Sequence, residues 1–427
     1  MTYMHEISNK VTKTIGRVFF TDFDKIMNKE RQMQEKMKDP QLLDLIVKEV
    51  QKDGVVGEKE VIKALILKIC LRLVKGATPT SSNILVSDIS GAGKDFIVKK
   101  VCEVMLESEE TYFHRTDLSD KVLNYWQPLD EDKNPKSWNG KVLWLEDPGE
   151  DVIKCQGFKI RASGGNAITV LKDQVPHTVL VNGKPVFIIT SMKTRIDIEG
   201  VRRWDSLRLN NKSSHVKKIE KYMLRKATGS IPYNPDTELR QGLKHLHRYG
   251  VVIPYAEELS NDNGANETKT MVLKLLDYIK ASCVLHQQQR VKNEAGQLIA
   301  VYEDYENAMF LWNVLNKNFQ TNLNVRQEKI LLYLNSQNKP VTLREIVHNN
   351  EGLTKYFIEK EMEELAEREL ISYTYDFDAY ANREILHLSL TKKGKSRGFT
   401  PKSYKDLKKA NRLANKNIVG QQIVPTD

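Results

Sequence analysis

The sequence predicts an α/β protein. A parallel sheet flanked by helices is expected, with an N-terminal helical segment, a helical connector, and a small C-terminal domain of three helices and a β-wing. Three observations lead there. Short apolar runs at 83–87, 141–147 and 185–191 end in glycine, acid or hydroxyl residues, as buried parallel strands do on reaching their polar loops. Behind the first run, Phe96, Ile97, Val101, Val104 and Met105 recur at helical spacing. Residues 325–390 carry a different pattern, three amphipathic stretches and then two alternating ones. The expected boundaries are 1–78 for the N-terminal helices, 79–230 for the sheet domain, 231–323 for a helical lid or connector, 324–391 for the small domain and 392–427 for a basic tail.

From about 22 to 53 the chain is strongly charged with spaced apolar positions, a helix broken at Asp39-Pro40. After the turn Lys52-Asp53-Gly54, a second helix from about Glu58 to Lys75 places Val61, Ile62, Leu65, Ile66, Ile69 and Leu73 on one apolar face, and residues 76–82 end it. Then comes Asn83-Ile84-Leu85-Val86-Ser87-Asp88-Ile89-Ser90-Gly91-Ala92-Gly93-Lys94-Asp95, which reads as strand, glycine-rich loop, helix. Gly91, Ala92 and Gly93 let backbone N–H groups converge on phosphate oxygens. The helix N-terminus adds partial positive charge, Lys94 reaches the terminal phosphates, and Asp95 and Phe96 follow in the first turn. The usual phosphate-loop pattern has glycine where this chain has Asp88 and a metal-ligating hydroxyl where it has Asp95. An aspartate also ligates Mg²⁺, but it sets negative charge beside a triphosphate, so slow or absent hydrolysis is one expected consequence.

Further on, 111–115 reads as a strand and 120–126 as a helix. Lys141-Val142-Leu143-Trp144-Leu145-Glu146-Asp147 is an apolar strand ending in two acids, with Glu146 assigned to the metal and Asp147 to the attacking water. Residues 168–171 and 178–181 read as hairpin arms around 173–177, and Asn182-Gly183 turns into the strand 185–191, which ends in the hydroxyls of Thr190 and Ser191, a position from which a side chain can contact the γ-phosphate or the attacking water. Next is Glu199-Gly200-Val201-Arg202-Arg203-Trp204-Asp205, where an arginine could serve the phosphates of a neighbouring subunit.

Taken in order, the GAGK loop, the paired acids, the hairpin, the strand ending in Thr190 and GVRRWDSLRL resemble the AAA+ helicase-like ATPases of phages, plasmids and other mobile elements, relatives of the MCM and superfamily 3 helicases. The resemblance spans about 80–310, taking in the strings at 251–256 and 284–290 as a helical lid. It implies a P-loop AAA+ core, ATP and Mg²⁺ as cofactors, a homo-oligomeric ring such as a hexamer, and replication proteins as partners. It further implies Arg203 acting across subunits, and a pore-facing hairpin that offers Lys172 and His177 to DNA.

The small domain is similar to a winged helix-turn-helix. Val325–Asn335 is amphipathic, Thr342 is the expected N-cap of a second helix, and Leu353–Glu369 is a third, with strands at 371–375 and 384–390. Its early third-helix residues Thr354, Lys355 and Tyr356 are candidates for the major groove, and Lys360 and Arg383 for phosphates. The same helix carries Glu359, Glu361, Glu363, Glu364 and Glu367, which repel DNA and leave a protein-docking role open.

At 427 residues, two or three domains are expected. The net charge of +10 suits a nucleic-acid partner, and much of it lies in the tail, where ten lysines and arginines from Lys392 to Lys416 face Asp406 alone. The four cysteines, at 70, 102, 155 and 283, have neither paired spacing nor a close histidine, arguing against a disulfide framework or zinc site. No apolar run reaches the roughly 18 residues of a membrane span, and the N-terminus has no apolar signal core, so a cytoplasmic protein without a membrane partner is expected. The expected function is an ATP-dependent DNA motor or remodelling protein. The alternative is a non-hydrolysing initiator or regulator that binds DNA and uses nucleotide as a switch. A small-molecule kinase would not need the winged helix or the tail.

Overall fold

The computed structural model describes residues 27–119, 121–172, 175–192, 203–259, 268–320, 325–337, 339–350, 352–367, 370–378 and 383–391. The chain divides into two units, Met1–Pro254 with Lys274–Val314, and Tyr255–Leu273 with Leu315–Asp427.

The first unit begins with helices α1 (27–37) and α2 (Leu42–Lys52), interrupted where expected at Asp39-Pro40. The Asp39 carboxylate accepts the Gln41 N–H at 2.7 Å and holds the break. Helix α3 (Lys59–Cys70) runs on into a 3₁₀ turn, Leu71–Leu73; all its residues from Val61 onward except Lys63 are buried, so it is a core helix rather than a surface one. The turn between α2 and α3 requires glycine at 57. Its φ is +67°, and a Cβ there would come within 2.7 Å of the His215 ring.

Five strands form one parallel sheet: β1 (Asn83–Ser87), β2 (Tyr112–Arg115), β3 (Val142–Glu146), β6 (Val186–Ser191) and β7 (Asp205–Leu207), in the order β2-β3-β6-β1-β7. Strands β1 and β6 are central and buried along their whole length, which is why both read as unbroken apolar runs. Because all five strands run the same way, the ends of β1, β3 and β6 lie at one edge. Val86 and Glu146 both register with Thr190, and Ser87 with Ser191. Helix α4 (Lys94–Met105) follows β1. One face of the sheet is packed by Phe113, Trp138, Leu143, Phe158, Phe187 and Trp204, with Phe158 stacked on Trp204 at 5.6 Å.

Several local expectations need correction. The helix expected at 120–126 is a single 3₁₀ turn, Val122–Asn124, because the segment turns inward to stack Trp126 edge-on against Phe113 and Trp138, whose indole N–H donates to the Trp126 carbonyl. Two unanticipated helices follow β3, α5 (Glu150–Lys154) and α6 (Gln156–Ala162). The cap of α6 is Cys155, whose sulfur accepts the Phe158 N–H at 3.3 Å, a residue outside the usual capping set. In the hairpin of β4 (Ala167–Lys172) and β5 (Val175–Leu180), Lys172 pairs with Val175, so Val175, Pro176 and His177 belong to a strand and not to the turn. An exposed two-stranded ribbon has outward-facing positions where proline needs no N–H.

Helices α7 (Ser213–Ala227) and α8 (Thr237–Lys244) come next, α8 capped by Asp236, which accepts the Leu239 N–H at 3.0 Å. Arg240 binds Glu49 at 2.7 Å and Asp53 at 2.6 Å, tying α8 to the end of α2. Strands β8 (Val251–Val252) and β9 (Leu298–Ile299) pair in parallel, and helices α9 (Thr268–Leu285) and α10 (Tyr302–Gln320) flank β9 in sequence.

The second unit contains α11 (Val325–Ser336), β10 (Val341–Thr342), α12 (Leu343–Asn349), α13 (Lys355–Glu367), β11 (Ile371–Asp378) and β12 (Arg383–Leu390), with sheet order β10-β12-β11. Thr342 caps α12 as expected, in a reciprocal capping box with Glu345. Ile330, Leu334, Ile346, Ile358, Leu365 and Leu388 close a core between helices and sheet. Three helices and a β-wing are present as the periodicity predicts.

Candidate functional site

The loop between β1 and α4 holds Gly91 at φ +77° and Gly93 at φ +88°, conformations that favour glycine, and both lie in open space. Ala92 turns back, its N–H donating to the Ile89 carbonyl at 3.3 Å. Lys94 begins the helix and is 6% exposed, with its Nζ 3.6 Å from Asp95 Oδ2. The N–H groups of the first helical turn have no acceptor within the helix, as at any helix start, and they favour an anion there.

Asp88, where the usual motif has glycine, serves as a staple. Its carboxylate accepts the Ile89 N–H at 2.8 Å, the Leu209 N–H at 2.9 Å and the Asn211 side-chain amide, fastening the loop to the segment after β7. Asp95 differs: its Oδ1 is buried and has no hydrogen-bond partner. Phe96 is 44% exposed. A Cβ on Gly54 would lie 3.5 Å from both the Phe96 ring and the Tyr222 hydroxyl, so these two aromatics converge beside the loop. Tyr222, Lys52, Lys100, Lys226, Pro232 and Tyr233 line a cleft of about 290 Å³ close by.

Across the sheet edge, Glu146 ends β3 with Oε2 2.8 Å from His114 Nε2, and the His114 ring stacks on Trp144 at 3.9 Å. Asp147 leaves the strand at φ +44°, its N–H donating to the Thr190 carbonyl at 2.8 Å. The Ser191 hydroxyl donates to Asp147 Oδ1 at 3.3 Å. Thr190 itself is fully buried, its hydroxyl accepting the Trp144 indole N–H at 3.1 Å. Sequence reasoning selected Thr190 and passed over Ser191 and His114. Strand alternation is the signal that separates the two hydroxyls, since neighbours on one strand face opposite ways.

The other expected residues are more dispersed. Arg203 is half-buried and its carbonyl accepts the Asn83 amide at 2.9 Å, whereas Val201 and Arg202 lie outside the described residues. Lys172 ends β4, its side chain lying outside the described set, and His177 is exposed on β5. Thr354, Lys355, Tyr356 and Lys360 are exposed at the start of α13, with Lys355 3.6 Å from Glu359. Arg383 opens β12, and its side chain is outside the described set, as is the tail from 392.

A buried network also went unread in the sequence. Asp205 accepts from Lys68 at 2.6 Å, Lys274 at 2.8 Å and the Tyr278 hydroxyl at 2.5 Å. Burial raises its carboxyl, but the Lys274 and Lys68 ammonium groups outweigh that and hold it at about 2. The arrangement binds α3, β7 and α9 together, and with all four side chains buried its role is structural. Among the described residues no three His, Cys, Asp or Glu side chains gather into a metal site. No helix of the described residues is long and apolar enough to cross a membrane.

These elements define a mixed α/β chain with a parallel sheet and a C-terminal winged helix. The family model of the TBPIP/Hop2 winged helix domain matches residues 326–375, from the first helix of the small domain into β11. No curated protein matches the chain.

Proposed function

We propose that the chain is a P-loop ATPase of the AAA+ helicase-like kind acting on DNA, with the winged helix as a second DNA-contacting element. The observation that carries this is the sheet order β2-β3-β6-β1-β7. It sets the GAGK loop at the end of a central strand, the hydroxyls of β6 beside it, and the acids of β3 one strand further, all at the carboxyl edge of a parallel sheet, where such folds bind ligands. Lys94 and the first-turn N–H groups hold phosphate. Asp147, oriented by Ser191, takes the proton of the attacking water, and His114 fixes the Glu146 carboxylate.

The donor set suits Mg²⁺, a hard ion taken by carboxylate oxygen, and the unpartnered buried Oδ1 of Asp95 is an atom in need of such a partner. Asp95 and Glu146 would hold it, and its charge would offset that of the phosphates. Arg203 acting across a homo-oligomeric ring, pore contacts by Lys172 and His177, and association with replication proteins belong to the same proposal.

One observation favours the switch-like alternative. Lys94 lies 3.6 Å from Asp95, so the loop lysine is already partly neutralised before any phosphate arrives. Titration of Mg·ATP against the wild type and Lys94→Ala tests the binding step common to both readings: saturable binding lost in the variant is expected, and equal affinity of the two proteins would refute a phosphate role for the loop.

A further inference from the structure

Among the described residues, β11 is the edge strand of its sheet. Strand β12 occupies its inner edge, and among the described residues no strand pairs with the other. Exposed edges are normally blunted by lysine, proline, a bulge or a covering segment, because their unpaired N–H and C=O groups recruit further strands. The run Ile371-Ser372-Tyr373-Thr374-Tyr375-Asp376-Phe377-Asp378 contains no lysine and no proline, and its pairing with β12 runs without a bulge over all eight residues.

Its composition is also unusual for a solvated edge. Tyr373, Tyr375 and Phe377 alternate along one face and are 41%, 57% and 65% exposed. Tyr373 registers with Leu388 and Tyr375 with Leu386, both core residues, so the three rings continue the buried face of the sheet past the point where helices cover it. Tyr373 and Tyr375 already meet edge-on at 6.1 Å.

We propose that β11 pairs antiparallel with β11 of a second copy, about a two-fold axis at Tyr375. The strand is complementary to itself in that register and in no need of another sequence. Tyr373 falls opposite the second copy's Phe377 and Tyr375 opposite its own equivalent, giving a ladder of three aromatic pairs on one face. On the other face Thr374 falls opposite the second copy's Asp376 and Ser372 opposite its position 378, so no two acidic positions are set opposite each other. A two-fold interface demands this kind of self-matching. Phosphate is a poorer occupant, since the exposed Asp376 carboxylate sits on this strand. The pairing does not depend on nucleotide.

Sedimentation of the full-length protein over a concentration series tests it. The wild type associates reversibly with a two-fold rise in mass. Tyr375→Lys, which sets two like charges face to face at the axis, weakens that step by about tenfold or more. Thr374→Lys, which sets an ammonium opposite Asp376, tightens it and so guards against reading misfolding as lost contact. Oxidation adds the register: Tyr375→Cys cross-links through the axis faster than Ser372→Cys, with the wild type as background. A two-fold step unchanged by both lysine variants, or equal cross-linking of the two cysteine variants, overturns the proposal. So does a monomeric wild type whose β11 tyrosines are quenched by an oligonucleotide, which would make the strand a nucleic-acid face.

Discussion

The Ser191 hydroxyl donates to the Asp147 carboxylate at 3.3 Å, joining the last residue of β6 to the residue that leaves β3. Asp147 is held at φ +44°, a conformation costly for any residue with a Cβ, by its N–H bond to Thr190. A strained acid fixed by a neighbouring strand is what a water-orienting base requires.

Asp147→Asn should therefore lower ATP turnover by about 10²- to 10⁴-fold while Mg·ATP binding stays within about twofold of wild type, read by steady-state kinetics beside a binding titration. Ser191→Ala should lower turnover by a smaller factor through lost orientation. Thr190→Val should instead act on stability, costing about 1 kcal/mol in urea unfolding, because its hydroxyl bonds the Trp144 indole inside the sheet.

The two departures from the usual phosphate loop should separate by experiment. Asp88 accepts three donors, so Asp88→Gly should destabilise the fold by about 2–4 kcal/mol without raising turnover. Asp95→Thr should raise turnover, by on the order of tenfold, since it supplies the hydroxyl and frees Lys94 from a carboxylate 3.6 Å away. If Asp95→Thr hydrolyses no faster and Asp88→Gly does, the roles assigned to the two are reversed.

Asp205 predicts the acid limb of stability. Its folded carboxyl is held at about 2, below its ordinary 3.8, so its contribution is complete above pH 4 and falls away as pH drops towards 2. The loss is about 2 kcal/mol in urea midpoints converted to free energy. Asp205→Asn should remove that pH dependence and cost about 3–5 kcal/mol at neutral pH, because Lys68 and Lys274 are left buried without a counter-charge.

On the winged helix, Lys355→Ala and Lys360→Ala should each reduce the slope of log affinity for duplex DNA against log salt by about one. Truncation after Thr391 should reduce it by several, since the tail carries most of the surplus basic residues. A slope unchanged by truncation would exclude the tail from phosphate contact.

Legibility in the sequence followed how locally each feature is encoded. Strands β1, β3 and β6 announce themselves as apolar runs, and the capping box of Thr342 and Glu345 marks α12 within four residues. What went unread depends on partners distant in sequence. Val122–Trp126 has helical spacing, yet Trp138 and Phe113 draw it inward. Asp88 looks like a damaged glycine until Leu209 and Asn211 arrive beside it. Thr190 and Ser191 are equivalent in a string of letters and opposite in a pleated strand. The Asp205 network joins residues from 68 to 278, and no local pattern records it.

Steady-state ATP hydrolysis by the wild type and Lys94→Ala, each with and without DNA, tests the central claim most directly. The expected result is turnover that rises on adding DNA and disappears in the variant. Folded, nucleotide-saturated wild-type protein with no DNA-stimulated turnover would contradict an ATP-driven role on DNA.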